Sequence, residues 1–151
     1  MRRFSFRLEP VLRYRRMIEE MRKMELAAAR AEYDLARARL EEVVRRREEL
    51  EGVLRRREAE GLSAAEAQLY LGYLAALRDL EAARREELKR AEEKLEMARN
   101  RLLSSRRDRR AVEILREREL ERFKAEMRRE ELKLIDEVSN NKTARLKGEG
   151  R

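Results

Sequence analysis

The chain has 151 residues, of which 48% are Asp, Glu, Lys or Arg and only 5% are aromatic. Typical globular domains contain about 25% charged residues, so too few positions remain here to enclose a thick core. Ala, Leu, Glu, Lys and Arg dominate, a composition typical of long helices and coiled coils, and this disfavours compact β-sheet folds. The formal net charge of +8 suits nucleic acid, an anionic membrane surface or an acidic protein as a partner.

The composition also limits the chemistry of the chain. There is no His and no Cys, which excludes imidazole acid–base catalysis, thiol nucleophiles and the usual zinc sites. The phosphate-binding motifs GxxxxGK[ST] and GxGxxG are absent. We therefore expect no enzymatic activity, no cofactor and no metal. No apolar run approaches the roughly 20 residues that span a bilayer, and no signal peptide is recognisable, so the sequence predicts a soluble cytoplasmic protein.

The first predicted element is a helix over about 8–58. Pro10 suits the first turn of a helix, where its missing N–H needs no partner. Apolar residues then recur at alternating spacings of four and three, the pattern of a coiled-coil seam. This seam comprises Ala29, Tyr33, Ala36, Leu40, Val43, Arg47 as its one polar member, Leu50 and Leu54. An earlier run is one residue out of phase and predicts a phase slip near Arg22–Leu26. Its members are Val11, Tyr14, Ile18 and Met21.

A turn at about 59–63 separates this helix from a second one. Gly61 can adopt a positive φ and end a helix, and Ser63-Ala64-Ala65-Glu66 has the form of a capping box. The second helix is predicted over about 64–138, because no proline interrupts it and the seam continues. Its seam members are Leu88, Ala91, Leu95, Ala98, Leu102, Ser105, Arg109, Val112, Leu120, Phe123, Met127 and Leu134. The tail over 139–151 loses this periodicity and is predicted to be flexible.

Together these elements predict an all-α fold, an antiparallel coiled-coil hairpin in which the second helix is longer and overhangs the first. Residues 1–138 form one domain in this interpretation, and the hairpin is a monomer. A turn centred near residue 61 places residue i beside roughly 122 − i, so Pro10 would lie near Val112.

Three arginine runs, 45–47, 55–57 and 106–110, are candidate phosphate contacts. Acidic residues are interleaved with them, however, which is more typical of solvated helix faces. A basic coiled coil that binds nucleic acid therefore remains the alternative from another functional class.

Two groups of apolar residues are candidate protein contacts. Leu69, Tyr73 and Leu80 lie on a stripe beside the predicted seam, which indicates either a docking site or a seam that widens near the turn. Phe4 and Phe6 lie at the start of an aromatic-poor chain, where they either anchor the first helix or enter a partner.

The residues also resemble a known family. The run Phe4-x-Phe6-x-Leu8-Glu9-Pro10-Val11-Leu12-x-Tyr14-Arg15 resembles the N-terminus of flagellar FliJ proteins. A second block is similar to the C-terminal part of that family, and the resemblance extends over residues 4–138. The block includes Leu102, Leu103, Ser105, Arg106, Arg109, Val112, Glu113, Leu115, Arg116, Glu117, Arg118, Phe123, Glu126, Arg129, Glu130, Glu131, Leu134, Ile135, Asp136 and Glu137.

The resemblance implies a non-enzymatic, stalk-like part of the flagellar type III export apparatus, at the cytoplasmic face of the basal body. Members of the family bind the hexameric export ATPase FliI and the export gate protein FlhA, and they escort export chaperones. They lie peripheral to the inner membrane without inserting into it. A stalk protein of virulence type III secretion remains a close alternative, and the Phe4–Leu12 motif favours the flagellar version.

The resemblance also assigns residues to these contacts. Gate binding would fall to Tyr73, Leu77, Leu80 and Arg84. ATPase binding would fall to the stalk ends, represented by Phe4, Phe6, Leu8, Val11, Leu12, Leu115, Arg118 and Phe123.

Overall fold

The computed structural model describes residues 2–150, which form two long α-helices packed against each other. Helix α1 spans Glu9–Glu60 and helix α2 spans Ala64–Glu149. No β-strand occurs in this described part of the chain. The predicted all-α helical hairpin with a longer second helix is therefore confirmed.

The boundaries of the two helices follow from local backbone chemistry. The Phe6 carbonyl accepts a hydrogen bond from the Glu9 N–H at 3.1 Å at the start of α1. At its end, Gly61 has a φ of +96°, a left-handed conformation that glycine adopts without steric cost. The Ser63 hydroxyl then accepts from the Glu66 N–H at 3.2 Å, which satisfies one of the free N–H groups at the start of α2.

The chain divides into two compact units. The turn unit comprises Glu19–Ser105, and the terminal unit comprises Met1–Ile18 together with Arg106–Arg151. Each unit contains one segment from each helix.

The turn unit is held by a seam of small and medium apolar side chains, as the 3-4 spacing predicts. Ala29, Leu95 and Ala98 form its most compact cluster, against which Leu26 and Tyr33 pack. The other buried apolar members are Ala36, Val43, Leu54, Leu74, Leu77, Ala91 and Leu102. With Ala at so many seam positions, the two helices can approach closely.

The pairing of the two helices differs from the predicted register. Arg47 contacts Glu81 and Glu32 contacts Lys94, whereas the rule of roughly 122 − i would place them beside positions near 75 and 90. Two causes contribute. Residues 61–63 are not helical, so the midpoint of the turn lies beyond Gly61, and the long Arg and Lys side chains reach further along the neighbouring helix.

The predicted phase slip near Arg22–Leu26 is wrong. Buried and half-buried positions continue backwards from Ala29 with unbroken 3-4 spacing, and they are Leu26, Arg22, Glu19, Arg15, Leu12 and Leu8. Of the predicted earlier run, Val11, Tyr14 and Met21 are exposed, and Ile18 is half-buried beside Glu19. Charged residues occupy the seam here because their aliphatic stems can pack while their charged ends reach partners or water.

Helix α2 also continues past the predicted end at 138, to Glu149. Every residue from Arg128 to Gly150 is exposed, including Leu134, so the assignment of Leu134 to the seam is wrong. The predicted end was placed where the apolar periodicity stops, and this is the point where packing between the helices ends. The helix itself continues further because its backbone hydrogen bonds do not require a packing partner. The flexibility of residues 139–151 remains a prediction.

Candidate functional site

An aromatic cluster anchors the N-terminal segment in the terminal unit. The ring centroids of Phe4 and Phe123 lie 5.7 Å apart at a tilt of 54°. The Arg116 guanidinium lies over the Phe4 ring at 5.5 Å, and its Nε donates to a Glu9 carboxylate oxygen at 3.0 Å. These contacts connect the residues before α1 to α2 through aromatic stacking, a cation–π contact and an ion pair.

The eight residues assigned to ATPase binding fall into three groups in the structure. Phe6 and Leu12 are only 5% and 0% exposed, so they belong to the core of the terminal unit. Phe4, Leu8 and Phe123 are half-buried. Only Val11, Leu115 and Arg118 present exposed side chains that a partner can contact without opening the unit.

The terminal unit also contains several carboxylate–arginine contacts. Glu113 lies within 2.9 Å of Arg109, 3.4 Å of Arg110 and 3.6 Å of Arg16. The hydrogen bond from Arg109 is the main reason why the pKa of Glu113 lies below its usual value. A carboxylate held in this way stays ionised near neutral pH and is unsuited to proton transfer.

The end of α2 adds an exposed apolar surface that sequence reasoning assigned only in part. Its large side chains have more than half of their surface accessible. They are Leu132, Leu134, Ile135, Val138 and Leu146. Such residues in a chain so rich in charge indicate a protein-contact surface.

The turn unit carries an outer stripe on α2, composed of Leu69, Tyr73, Ala76, Leu80 and Ala83. All five are exposed and they follow 3-4 spacing, one position before the seam. The sequence indicated Leu69, Tyr73 and Leu80, whereas the two alanines were missed because alanine suits a seam, a surface or a contact equally well. The structure thus places an apolar surface on the outside of the paired helices.

Only two of the four residues assigned to gate binding lie on this stripe. Tyr73 and Leu80 are 53% and 37% exposed, whereas Leu77 is 4% exposed and lies in the seam. Arg84 is half-buried and lies two seam positions after Leu77, beyond Glu81. Its Nη1 contacts Glu87 at 3.0 Å. The Arg84 Nε is buried without a hydrogen-bond partner among the described residues.

A groove lies beside the outer stripe and has a volume of about 490 Å³. Its lining residues come from both helices of the turn unit and are Leu50, Arg57, Glu66, Leu69, Tyr70 and Tyr73. The Arg57 Nε donates to the Tyr70 hydroxyl at 3.4 Å, which holds a cation at the edge of an apolar depression. This arrangement suits a large apolar side chain of a protein partner.

A buried ionic cluster interrupts the seam of the turn unit. Glu81 is 8% exposed and accepts from the Arg47 Nε at 2.6 Å and from the Arg85 Nη2 at 2.8 Å. The hydrogen bond from Arg85, and then that from Arg47, lowers the pKa of Glu81. Arg47 also contacts Glu51 at 3.1 Å. These bonds compensate the burial of the carboxylate and give it a structural role.

The arginine runs are largely engaged within the protein. Arg46 contacts Glu42 at 2.7 Å, and Arg110 contacts Glu117 at 3.0 Å. Arg55 and Arg56 donate to backbone carbonyls one turn earlier in α1. Guanidinium groups that already contact carboxylates and carbonyls form a poor continuous footprint for phosphates.

Two features of the described residues concern metal binding and membrane insertion. No cluster of His, Cys, Asp and Glu within residues 2–150 has the arrangement that a metal ion requires. Neither described helix contains a stretch that is long and apolar enough to cross a membrane.

Comparison with known proteins shows a shared fold and a matching family. The solved structure of a putative YscO homolog, CT670 from Chlamydia trachomatis, is similar to this chain with a TM-score of 0.63 and 18% sequence identity. The similarity covers 91% of this chain and 94% of that protein, and at this identity it shows a shared fold. No curated protein sequence matches the chain significantly. A family model described as "Flagellar FliJ protein" matches residues 4–148, so the chain belongs to the FliJ family.

Proposed function

We propose that this protein is a non-enzymatic stalk of the flagellar type III export apparatus that contacts the hexameric export ATPase FliI and the export gate protein FlhA. The observation that carries the proposal is the family match over residues 4–148. Its supporting context is a two-helix fold that presents exposed apolar side chains in both of its units. In this role the protein acts at the cytoplasmic face of the basal body and binds no cofactor.

The terminal unit is the proposed ATPase contact. Val11, Leu115 and Arg118 are its accessible members, and the exposed apolar residues at the end of α2 extend the surface that a pore could enclose. Phe4 and Phe123 support this surface by fixing the N-terminal segment on α2. The many arginines suit a pore lined in part by carboxylates, since complementary charge orients two partners before their apolar groups meet.

The outer stripe of the turn unit is the proposed gate contact. Tyr73 and Leu80 would contact the gate protein directly, with Leu69, Ala76 and Ala83 completing the apolar surface. Leu77 and Arg84 would act from the seam by keeping the stripe in position. Tyrosine is among the residues that most often dominate the energy of a protein interface, so Tyr73 is the expected centre of this contact.

In this proposal, the stiffness of the paired helices connects the ATPase contact with the gate contact. Bending a paired helix disturbs side-chain packing along its seam, and closely packed interiors resist such displacement. A paired-helix stalk can therefore bias the states of successive ATPase subunits while it remains attached to the gate. Escort of export chaperones is carried into the proposal by family membership alone.

Co-purification with FliI tests the proposal. The test variant is Leu115→Glu, which places a charge on the exposed surface of the terminal unit. The matched control is Leu103→Glu, because Leu103 is a similarly exposed leucine on the same helix. We expect the wild type and the control to bind FliI and to change its oligomerisation or turnover, and we expect Leu115→Glu to lose both effects. If the wild type neither binds FliI nor changes its activity, the stalk function is wrong.

A virulence-type stalk is the second candidate, because the structural neighbour from Chlamydia trachomatis carries a YscO name. The same co-purification with a virulence export ATPase in place of FliI distinguishes the two. Preferential binding to FliI supports the flagellar role, and preferential binding to the virulence ATPase supports the alternative.

Nucleic-acid binding makes a different prediction. A basic coiled coil that neutralises several phosphates loses DNA affinity steeply as salt increases, with a log–log slope close to the number of contacts. We expect only weak binding to DNA, because many of the arginines already contact carboxylates of the chain. A tight complex with a steep slope would contradict this expectation.

A further inference from the structure

A second exposed apolar stripe lies on α1 of the turn unit, away from the outer stripe of α2. We call it the α1 stripe, and it follows 3-4 spacing outside the seam. Its members are Met21, Met24, Ala28, Ala31, Leu35 and Ala38. All six are exposed, and Met24 retains 72% of its accessible surface. A helix that carries one apolar stripe in a seam and another on its outside has the sequence pattern of a helix between two neighbours.

The composition of the α1 stripe matches a helix as its occupant. Ala28 and Ala31 make its centre flat, which permits another helix to approach to about 8 Å. Met21 and Met24 are long and flexible, so they can adapt to the side chains of a partner. Beside Leu35 there is a groove of about 250 Å³ with Ala36 and Ala91 in its lining and charged side chains around them. These charged residues are Glu32, Arg39, Glu87, Arg90 and Lys94, so the groove suits a side chain with an apolar stem and a charged end.

The charges beside the stripe identify the kind of helix. Six charged residues occupy the positions that directly flank the stripe, the e and g positions of a coiled coil. They are Glu20, Glu25, Glu32, Asp34, Arg39 and Glu41. Five of the six are acidic, although the chain as a whole has a net charge of +8. Because e and g charges determine which helices pair, this flank favours a partner with Lys or Arg at the corresponding positions.

The same flank disfavours a second copy of this chain. Antiparallel pairing through the α1 stripe would bring Glu25 of one copy close to Glu32 of the other and Glu20 close to Glu41. Parallel pairing would bring Glu20 close to Glu25 and Asp34 close to Arg39, so one repulsive contact is opposed by one attractive contact. Antiparallel self-association therefore lacks charge complementarity, and parallel self-association gains no net attraction from the flank.

The flanking carboxylates remain available to a partner even though they have contacts within the chain. Glu20 contacts Lys23 at 2.9 Å, Glu32 contacts Lys94 at 3.5 Å and Glu41 contacts Arg37 at 3.0 Å, through side chains that are 45–66% exposed. Glu25 contacts Arg22 at 2.9 Å, and these two side chains are 41% and 33% exposed. Exposed ion pairs of this kind contribute little net free energy, so a basic partner can replace them at small cost.

We infer that the α1 stripe is a docking surface for an amphipathic helix of another protein, with large aliphatic residues on its apolar face and basic residues beside them. This contact is separate from the proposed ATPase and gate contacts, and it does not depend on either. It would let a third protein bind the turn unit while the outer stripe of α2 remains uncovered.

The test uses the full chain and a synthetic helix of about three heptads with Leu at a and d and Lys at e and g. The control peptide has Glu in place of every Lys. Binding is measured by fluorescence anisotropy at physiological salt. We expect the Lys peptide to bind at least tenfold more tightly than the Glu peptide, and equal affinities would overturn the inference.

Matched variants locate the binding site. Met24→Gln combined with Leu35→Gln leaves the charge unchanged and should weaken binding of the Lys peptide at least tenfold. Met97→Gln is the control, since Met97 is 54% exposed and lies on α2 of the same unit. Circular dichroism confirms that each variant keeps its helical content. If the double variant binds as tightly as the wild type, the attraction is only electrostatic and the stripe is not the site.

Charge reversal tests the role of the flank. Glu25→Lys combined with Glu32→Lys should exchange the preference, so that the Glu peptide binds more tightly than the Lys peptide. An unchanged preference would contradict the argument from charge. Light scattering of the full chain measures its mass in solution and supplies the remaining test. If the wild type is a dimer and the double variant Met24→Gln with Leu35→Gln is a monomer, the α1 stripe binds a second copy of this chain and the inference is overturned.

Discussion

The turn unit and the terminal unit hold their helix segments together with different chemistry. The turn unit relies on an apolar seam around Ala29, Leu95 and Ala98, with an ionic cluster at Glu81 and the exposed pair Glu32–Lys94 between its helix segments. The terminal unit combines a small core that includes Leu12 with an aromatic pair and several ion pairs between its helix segments. Apolar burial is insensitive to moderate salt, whereas exposed ion pairs weaken in salt. The comparison therefore indicates a firm unit near the turn and a more easily opened unit at the chain ends.

The difference suits the proposed functions of the two units. A surface that enters another protein benefits from groups that can exchange their internal contacts for external ones. The arginines and glutamates of the terminal unit are of this kind, since exposed ion pairs contribute little to stability. The turn unit must instead keep its outer stripes in fixed positions on a stable seam.

The largest expected effect comes from truncating the seam of the turn unit. Leu95→Ala removes a side chain that is 6% exposed and leaves a cavity against Ala29. We expect a loss of about 2–4 kcal/mol in the free energy of unfolding, measured by urea denaturation and circular dichroism. Met97→Ala is the control, and it should change stability by no more than about 0.5 kcal/mol. Similar losses for the two variants would contradict the assignment of the seam.

A smaller effect is expected from the buried ionic cluster. Glu81→Gln keeps the size of the side chain but removes the charge that Arg47 and Arg85 contact. We expect a loss of about 1–3 kcal/mol at neutral pH, because two charge-assisted hydrogen bonds are weakened.

The pH dependence of this effect follows from the lowered pKa of Glu81. A carboxyl group whose pKa is lower in the folded protein stabilises the fold above its unfolded pKa and loses this contribution as the pH falls through the folded pKa. The stability difference between the wild type and Glu81→Gln should therefore be largest near neutral pH and shrink below about 4.5, the ordinary value for this group. Denaturation series across this pH range provide the measurement, and a difference that grows in acid would be inconsistent with the cluster.

In the terminal unit, Phe4→Ala should have a modest and local effect. It removes the ring contact with Phe123 and the cation–π contact with Arg116, together about 1 kcal/mol. Hydrogen exchange should accelerate near the start of α1 and around Phe123, and it should remain unchanged around Leu95. Uniform acceleration along both helices would show that the two units do not differ in the way described.

The smallest effect concerns salt. Raising NaCl from about 50 mM to 1 M shortens the Debye length to about 3 Å and weakens exposed pairs such as Arg15–Asp108 and Arg16–Glu113. Each pair contributes less than about 1 kcal/mol, so only their sum is measurable. Hydrogen exchange in the terminal unit should accelerate more than in the turn unit. A greater response in the turn unit would reverse the comparison.

The sequence predicted the fold wherever apolar spacing was long and regular. From Ala29 to Leu54, and again from Leu88 to Ser105, a sustained 3-4 repeat identifies the seam because only that face can be buried continuously. Near the start of α1, Val11, Tyr14, Ile18 and Met21 suggested a shifted phase, and only Ile18 among them is even half-buried. The structure instead continues the 3-4 spacing of the seam that begins at Ala29, so that Glu19 is buried and Arg15 and Arg22 are half-buried. The longer apolar seam determines which face of the helix is turned inward.

The candidate surfaces were predicted less completely, for a physical reason. The spacing of Leu69, Tyr73 and Leu80 identified the outer stripe of α2, because large apolar residues beside a seam need a separate explanation. The α1 stripe was missed, since its member Met21 was assigned to the seam and its alanines carry no signal of their own. Leu77 entered the gate assignment through family resemblance, and the structure buries it.

The terminal unit is proposed to contact the ATPase, and the turn unit is proposed to contact the gate. The most direct measurement compares Leu115→Glu with Tyr73→Ala combined with Leu80→Ala for binding to both FliI and FlhA. Leu115→Glu should lose FliI binding and keep FlhA binding, and the turn-unit variant should show the reverse, with helical content unchanged in both. If each variant weakens binding to both partners equally, or if neither variant weakens binding to either partner, the assignment of two contacts to two units is contradicted.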